Sequence, residues 1–111
     1  MKGTNLGEFE ELILLTIAGL SNEAYSVAIV DELDKIIKRK AKLGVVHAVL
    51  NRLEKKGLVT STLGEPTSER GGKRKRFYQL TISGKSALVT AKEQRDKLWE
   101  VIPKVVFNEI R

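Results

Sequence analysis

The side chains best suited to binding chemistry here are five cations between positions 70 and 76, interrupted only by two glycines. Guanidinium and ammonium groups this close together favour phosphate groups as ligands. In an extended chain, Arg74 and Arg76 point to one face, while Lys73, Lys75 and Phe77 point to the other. Neither face can be buried with its charges, so the stretch is predicted to be exposed. The five cations are Arg70, Lys73, Arg74, Lys75 and Arg76.

Such an exposed basic cluster is typical of contact with the phosphate backbone of a nucleic acid, or of insertion into a minor groove. The whole chain carries 20 Lys+Arg against 14 Asp+Glu, a net charge of +6, which also suggests a polyanionic partner. Phosphate contacts position a protein but do not select a base sequence. The alternative is a loop whose charges only keep the protein soluble.

A second set of candidate residues shares the outer face of a short helix at about residues 44–56. The residues that recur at three- and four-residue spacing predict its buried stripe: Val46, Val49, Leu50 and Leu53. Those turned away are small, polar or basic: Gly44, His47, Ala48, Asn51 and Lys55. Such a face suits the major groove of a duplex, where Asn51 would bond adenine or a phosphate and His47 a phosphate or a base. The alternative is a solvated helix face.

The residue types present do not indicate catalysis or metal binding. The sequence has no cysteine and a single histidine, His47, which excludes cysteine-ligated zinc and a histidine-rich site within one chain. Serine and threonine nucleophiles have only that histidine as a partner. Gly71-Gly72 lacks the pattern of a phosphate-cradling loop between a strand and a helix. We therefore expect no enzyme activity, no cofactor and no metal.

Length and composition indicate one small globular domain. The chain has 111 residues, of which 41% are hydrophobic and 31% charged. The N-terminus lacks the apolar core of a signal peptide, and no run approaches the length of a membrane span. We expect a cytoplasmic protein that does not contact a membrane.

Three helices are predicted before any strand. The first covers Gly7 to Leu20, and its middle is apolar nearly all round, which indicates a central core helix, alone or also in contact with a second subunit. The second runs from about Tyr25 to Arg39. A basic connector, Arg39 to Lys42, leads into the third helix, which Gly57 ends. The buried stripe predicted for the second helix is Val27, Ile29, Val30, Leu33, Ile36 and Ile37.

A hairpin and a last helix follow. Leu58 to Leu63 and Phe77 to Leu80 are predicted as strands, and the polar, glycine-rich segment from Gly64 to Lys75 as a long tip between them. Thr81 suits the N-cap of the last helix, and Pro103 must bend or end it. The order predicts a mainly α protein with a small β-hairpin, the winged helix-turn-helix arrangement ααα-ββ-α.

The last helix carries an apolar stripe that suits self-association. Two such stripes packed together would form a homodimer, whose symmetry matches a palindromic DNA site. The alternative is a helix folded back on its own domain. Trp99 is either a packing anchor or part of a pocket for a small-molecule effector at that interface. The predicted dimerisation residues are Phe9, Leu12, Leu88, Leu98, Trp99 and Ile102.

These segments resemble PadR-type transcriptional regulators. The similarity rests on L-G-E-F-E-E-L-I-L-L at Leu6–Leu15, A-Y-S-V-A-I at Ala24–Ile29, and L-G-V-V-H-A-V-L-N-R-L-E-K-K-G-L-V at Leu43–Val59. It continues with the basic stretch and its trailing L-T-I-S-G within Leu63–Lys85, and covers roughly residues 6 to 88. The resemblance implies a cytoplasmic, usually repressing, homodimeric winged-helix DNA-binding protein, dimerised through its first and last helices.

On this interpretation residues 1–80 bind DNA and residues 81–111 form a dimerisation helix and tail. The third helix, at about 44–56, is the recognition helix, and the hairpin at about 58–80 is the wing. Each recognition helix enters a major groove of double-stranded DNA, and each wing follows the neighbouring backbone. The predicted DNA-binding residues are Lys42, Gly44, His47, Ala48, Asn51, Lys55, Arg70, Lys73, Arg74 and Arg76.

Two features depart from the family pattern. His47 stands where many relatives have a tyrosine, so a tyrosine contact does not carry over. The C-terminal region is short and broken by Pro103, which leaves less room for effector binding. Two rival functions are a winged-helix module for protein–protein contact and a small enzyme or ligand carrier; the second would need a polar catalytic cluster that the sequence lacks.

Overall fold

Four helices and one antiparallel hairpin make up the chain in a computed structural model that describes residues 6–66 and 74–110. Their order confirms the predicted winged helix-turn-helix arrangement. The elements are α1 (Glu8–Leu20), α2 (Ser26–Ile37), α3 (Leu43–Lys55), β1 (Val59–Pro66), β2 (Arg74–Leu80) and α4 (Ile82–Glu100), with short 3-10 helices at Ser21–Glu23 and Lys104–Phe107.

α1 lies at the centre of the hydrophobic core. Ile13, Leu14 and Ile17 are buried and share one apolar cluster with Leu50 of α3. Leu15 on the same helix is exposed. The first helix is therefore a core helix, and among the described residues one of its sides stays uncovered at Leu15.

α2 ends at Ile37, and the predicted end at Arg39 was wrong. Lys38 adopts a left-handed conformation with a φ of 57°. The N–H groups of Lys38 and Arg39 donate to the carbonyl oxygens of Asp34 and Leu33, at 3.0 and 3.2 Å. This pair of bonds closes a helix in the way that a glycine usually permits, so no residue type marked the end in the sequence.

The apolar stripe of α2 is buried only in part. Ile29 and Leu33 are buried, whereas Ile36 is 63% and Ile37 47% exposed. Both isoleucines border, together with Leu15, an open apolar groove of about 250 Å³ between α1 and α2. The prediction that they are buried was wrong, because no other element of the described chain covers the last turn of α2.

α3 occupies Leu43–Lys55, shifted by one residue from the predicted helix. Its predicted stripe is confirmed as buried: Val46, Val49, Leu50 and Leu53. Gly57 follows the helix with a φ of 78°, and the Leu58 N–H donates to the Leu53 carbonyl at 3.0 Å. The glycine therefore lets the chain turn directly from α3 into the hairpin.

The two strands of the hairpin are longer than predicted. Pairing begins with Val59 opposite Leu80 and stays regular as far as Leu63 opposite Arg76. Positions 64–66 and 74–75, predicted as part of the tip, belong to the strands, and so does Arg76. The rest of the predicted tip, residues 67–73, lies outside the described residues.

A bulge explains why these polar positions still form strand. The register shifts between Leu63 and Pro66, and Pro66 lies opposite Arg74. A β-carbon on Gly64 would stand 2.7 Å from the ring of Phe77, so any larger residue would force that ring to shift. Such a bulge is hard to recognise in a sequence, because glycine and proline, the residue types found here, also mark turns.

The first half of α4 packs on the hairpin and α1. Thr81 confirms its predicted role as the N-cap, since its Oγ1 accepts the Gly84 N–H at 3.0 Å. Gly84, Ala87 and Ala91 are buried. Small residues on this face let α4 approach the strands closely.

The second half of α4 leaves the core. Leu98 is 68% and Trp99 64% exposed. The helix ends at Glu100, before Pro103, and the Trp99 ring lies 5.6 Å from that of Phe107 in the following 3-10 helix. This half presents apolar side chains to solvent.

Within the described ranges, no single helix has the length and apolar character needed to cross a membrane. α1 and α2 meet that test only when taken together, across a bend of 117°.

Candidate nucleic-acid interface

The outer face of α3 is open to solvent. Its predicted contact residues are all exposed: Gly44, His47, Ala48, Asn51 and Lys55. Lys42 immediately precedes the helix and is also exposed. The face is free because α3 packs against the core with its buried stripe, which lies on the opposite side of the helix.

A cleft of about 410 Å³ opens between α3, the start of α2 and β2. His47 and Asn51 line it from α3, and Arg74 and Arg76 line it from β2. Residues that were predicted separately, on the recognition helix and on the wing, thus share one concave surface. It combines an imidazole and an amide, which can select bases, with guanidinium groups, which bind phosphate.

The wing is anchored to the start of α2 by aromatic contacts. The Lys75 Nζ lies 4.1 Å from the centre of the Tyr25 ring, and the Phe77 ring meets the same ring edge-on at 5.6 Å. The Tyr78 N–H donates to the Ala24 carbonyl at 2.8 Å. Lys75 and Phe77 therefore lie on the face that the strand alternation predicted, and Lys75 binds an aromatic face at the cleft wall.

A chain of hydrogen bonds connects the wing to α3. Arg76 Nη1 donates to Ser61 Oγ at 3.0 Å, and Ser61 Oγ donates to Glu54 Oε2 at 2.9 Å. Tyr78 is buried close to these hydrogen bonds. Its burial, and to a smaller extent the negative charge of Glu54, raise the pKa of its hydroxyl group. The buried Tyr78, which also lines the cleft, is therefore harder to ionise than an ordinary tyrosine.

Comparison with known families gives this geometry a context. Residues 14–90 match the profile of the Transcriptional regulator PadR-like family. The chain belongs to that family. The match includes α3, the wing and the first half of α4. It confirms the expected resemblance and the expected class, because members of this family are transcription regulators and not enzymes. A comparison with curated proteins finds no match.

Solved structures of PadR-like regulators are similar over most of the chain. A PadR family transcription regulator from Clostridium difficile R20291 has a TM-score of 0.70 at 23% identity, over 93% of this chain and 97% of that one. A PadR-like transcription factor from Bacteroides fragilis has a TM-score of 0.69 at 26% identity, over 83% and 84%. A PadR family regulator from Eggerthella lenta DSM 2243 has a TM-score of 0.68 at 23% identity, over 91% and 88%.

This PadR-like chain contains a buried ionic contact that sequence reasoning missed. Glu10 of α1 is only 5% exposed. It accepts hydrogen bonds from Arg52 Nε at 2.9 Å, Lys56 Nζ at 3.0 Å and the Gly7 N–H at 2.9 Å. Burial alone would raise the pKa of Glu10, but the bonds from Gly7, Lys56 and Arg52 outweigh burial and hold the pKa below its usual range. The helix dipole already accounts for acidic residues at a helix start, so no local pattern pointed to a distant partner for Glu10.

The two other glutamates in the first turn of α1 also bind distant cations. Glu8 binds Arg39 of the connector before α3 at 3.1 Å, and Arg39 lies 5.0 Å from the Phe9 ring centre. The hydrogen bond from Arg39 holds the pKa of Glu8 below its usual range. Glu11 binds Arg95 of α4 at 2.7 Å. One helical turn therefore contacts the connector, α3 and α4.

The remaining predicted residues fall into separate groups. Arg70 and Lys73 lie outside the described residues. Phe9, Leu12 and Leu88 pack partly buried against the chain's own core, and Ile102 is half-buried beyond α4. Leu98 and Trp99 are exposed. The effector site predicted near Trp99 stays a prediction.

Within residues 6–66 and 74–110, no three His, Asp or Glu side chains are arranged to hold a metal ion.

Proposed function

We propose that this PadR-like chain represses transcription by binding double-stranded DNA as a homodimer. The observation that carries the proposal is the cleft shared by α3 and β2. It places His47 and Asn51, which can contact base edges, beside Arg74 and Arg76, which can contact phosphates. A surface that combines both kinds of group suits a duplex better than a protein partner.

In this proposal α3 enters the major groove and the wing follows the adjacent backbone. Exposed small residues on α3 allow its backbone to approach the bases, and cations at both ends of the helix bind the flanking phosphates. The wing supplies further phosphate contacts near its tip. The proposed contact residues are Lys42, Gly44, His47, Ala48, Asn51, Lys55, Arg70, Lys73, Arg74 and Arg76.

The exposed half of α4 supports the homodimer. Leu98 and Trp99 present large apolar surfaces that a second copy would cover, with help from α1. In this arrangement residues 1–80 bind DNA and residues 81–111 dimerise. A two-fold dimer presents two copies of α3 about one turn of DNA apart, which calls for a palindromic operator. A dimer seated on an operator in the cytoplasm blocks access to the promoter it overlaps.

The experiment that tests this function is selection of bound sequences from a library of random duplexes. We expect an enriched palindrome with half-sites spaced by about 10 base pairs or a multiple of that. Affinity for the selected duplex should fall steeply with salt, because phosphate contacts release counterions. No enrichment together with a flat salt dependence would instead indicate a protein–protein module.

Repression is tested separately. A reporter promoter that carries the selected palindrome should be silenced when the chain is expressed and should recover when the palindrome is scrambled. Increased reporter expression would identify an activator.

A further inference from the structure

Glu10 places a charge in the core at the junction of two helices. The side chain is buried, yet its carboxylate is held charged by hydrogen bonds from three donors. Two of these donors are Arg52, in the last turn of α3, and Lys56, which caps the end of that helix one turn later. The third is the backbone of Gly7, immediately before α1. The carboxylate therefore joins the start of the central helix to the end of the recognition helix.

This contact constrains more than the distance between α1 and α3. A carboxylate that binds two cations one turn apart resists both rotation of α3 about its axis and sliding along it. Apolar packing by the α3 stripe tolerates small rotations better, because its contacts are not directional. The angle at which His47 and Asn51 face a groove depends on that rotation.

We propose that Glu10 is a positioning residue of the DNA interface, which sets the rotation of α3 and withholds Arg52 and Lys56 from phosphate contact. The inference rests on the proposed DNA-binding function. Glu10 itself is buried and does not touch DNA. It acts through α3, and its effect is on selectivity for sequence rather than on total affinity.

The cations that Glu10 holds are otherwise well placed to bind phosphate. The Arg52 side chain is 54% exposed and that of Lys56 37%, although both are bound to a buried partner. If the carboxylate charge is removed, both side chains are free to extend into solvent. Added phosphate contacts strengthen binding to any duplex, so base contacts account for a smaller share of the total affinity.

The test compares Glu10→Gln with the full wild-type chain on the selected duplex and on a scrambled duplex, over a range of salt concentrations. Glutamine keeps the size of the side chain and one acceptor oxygen but removes the charge. We expect the ratio of specific to non-specific affinity to fall about tenfold, comparable to the effect of removing one good base contact. We also expect the salt slope on the scrambled duplex to steepen by about 1 to 2, because each additional phosphate bound by the protein adds about 0.9.

Two further variants separate positioning from folding. Arg52→Gln with Lys56→Gln retains Glu10 and removes the cations, so the affinity ratio should fall without a steeper slope. Glu8→Gln is the matched control, because it removes the same charge from the same helical turn, and its partner Arg39 is not on α3. Its affinity ratio should stay within about twofold of the wild type, as for an exposed ion pair.

Equal losses of affinity for both duplexes at an unchanged slope would overturn the proposal and leave Glu10 a purely structural residue. If Glu10→Gln does not fold, an unchanged ratio in the Arg52→Gln/Lys56→Gln variant overturns it instead. Failure of the DNA-binding function is recognised in the wild type alone, as the absence of a selected duplex and of salt dependence. In that case the positioning role fails with it.

Discussion

Gly84 lies so close to the Leu58 carbonyl oxygen that a β-carbon on Gly84 would stand 2.1 Å from it. The same carbonyl accepts the Thr81 N–H at 3.0 Å, and Thr81 Oγ1 donates to the Gly57 carbonyl at 2.7 Å. The start of α4 is thus pressed against the point where α3 passes into the hairpin. The relative placement of the recognition helix, the wing and α4 depends on this contact.

Replacing Gly84 with alanine should destabilise the fold by about 1–3 kcal/mol or more, because the new methyl group meets backbone that cannot move aside. Unfolding in urea measures the loss. Gly19→Ala is the matched control, since a β-carbon there meets nothing within 4 Å in a helix, and it should stabilise by about 0.5–1 kcal/mol. A Gly84→Ala protein as stable as the wild type would contradict the close approach.

Replacing Arg74 and Arg76 together with alanine should weaken binding to selected and scrambled duplexes alike. The salt slope should flatten by about 0.9 for each phosphate that the variant no longer binds. Fluorescence anisotropy at several salt concentrations measures both quantities. Lys85→Ala with Lys92→Ala removes the same net charge from exposed positions on α4 and should leave the slope unchanged. If binding by the arginine variant were unaffected, the wing would have no role in DNA contact.

Replacing Leu98 and Trp99 with glutamate should yield monomers, because charges would be buried at the proposed dimer seam without partners. Sedimentation equilibrium distinguishes the two states. Ile82→Glu changes an equally apolar residue that is 85% exposed at the opposite end of α4, and it should leave the dimer intact. A dimer that persists in the Leu98/Trp99 variant would place the interface elsewhere on the chain.

Stability should fall as the solution is acidified, with part of the loss due to Glu10. Its folded pKa lies below the ordinary value of 4.5, so between these two values the unfolded chain binds more protons than the folded one. The contribution of Glu10 is therefore fully present above pH 4.5 and is lost as the pH falls through the folded pKa. Urea unfolding from about pH 6 to about pH 3 should show a shallower dependence in Glu10→Gln than in the wild type. Identical pH dependence would show that the carboxylate is not stabilised by its cations.

The structural features that depend on residues close together in sequence could be predicted. The stripe of α3 and its glycine end are visible in the sequence because a helix repeats every 3.6 residues and a glycine tolerates positive φ. Thr81 was recognisable as an N-cap for a similar reason. The faces of the wing followed from the alternation of Arg74, Lys75, Arg76 and Phe77.

Other features depend on residues that are distant in sequence. The partner of Glu10 on α3 is 42 residues away, so its burial and ion pairs leave no local signal. The exposure of Ile36 and Ile37 depends on where neighbouring elements stop. The end of α2 depends on the left-handed conformation of Lys38, which is unusual for a lysine. The cleft itself arises only when α2, α3 and β2 are placed together.

The bulge in the wing also bears on aggregation. The described hairpin has two strands, so the outer edge of β1 carries backbone groups that another copy could extend by pairing. The register shift between Leu63 and Pro66 interrupts that edge, and Pro66 has no N–H to donate. An exposed, basic β-ribbon can thus remain available to a ligand without acting as a template for strands of neighbouring copies.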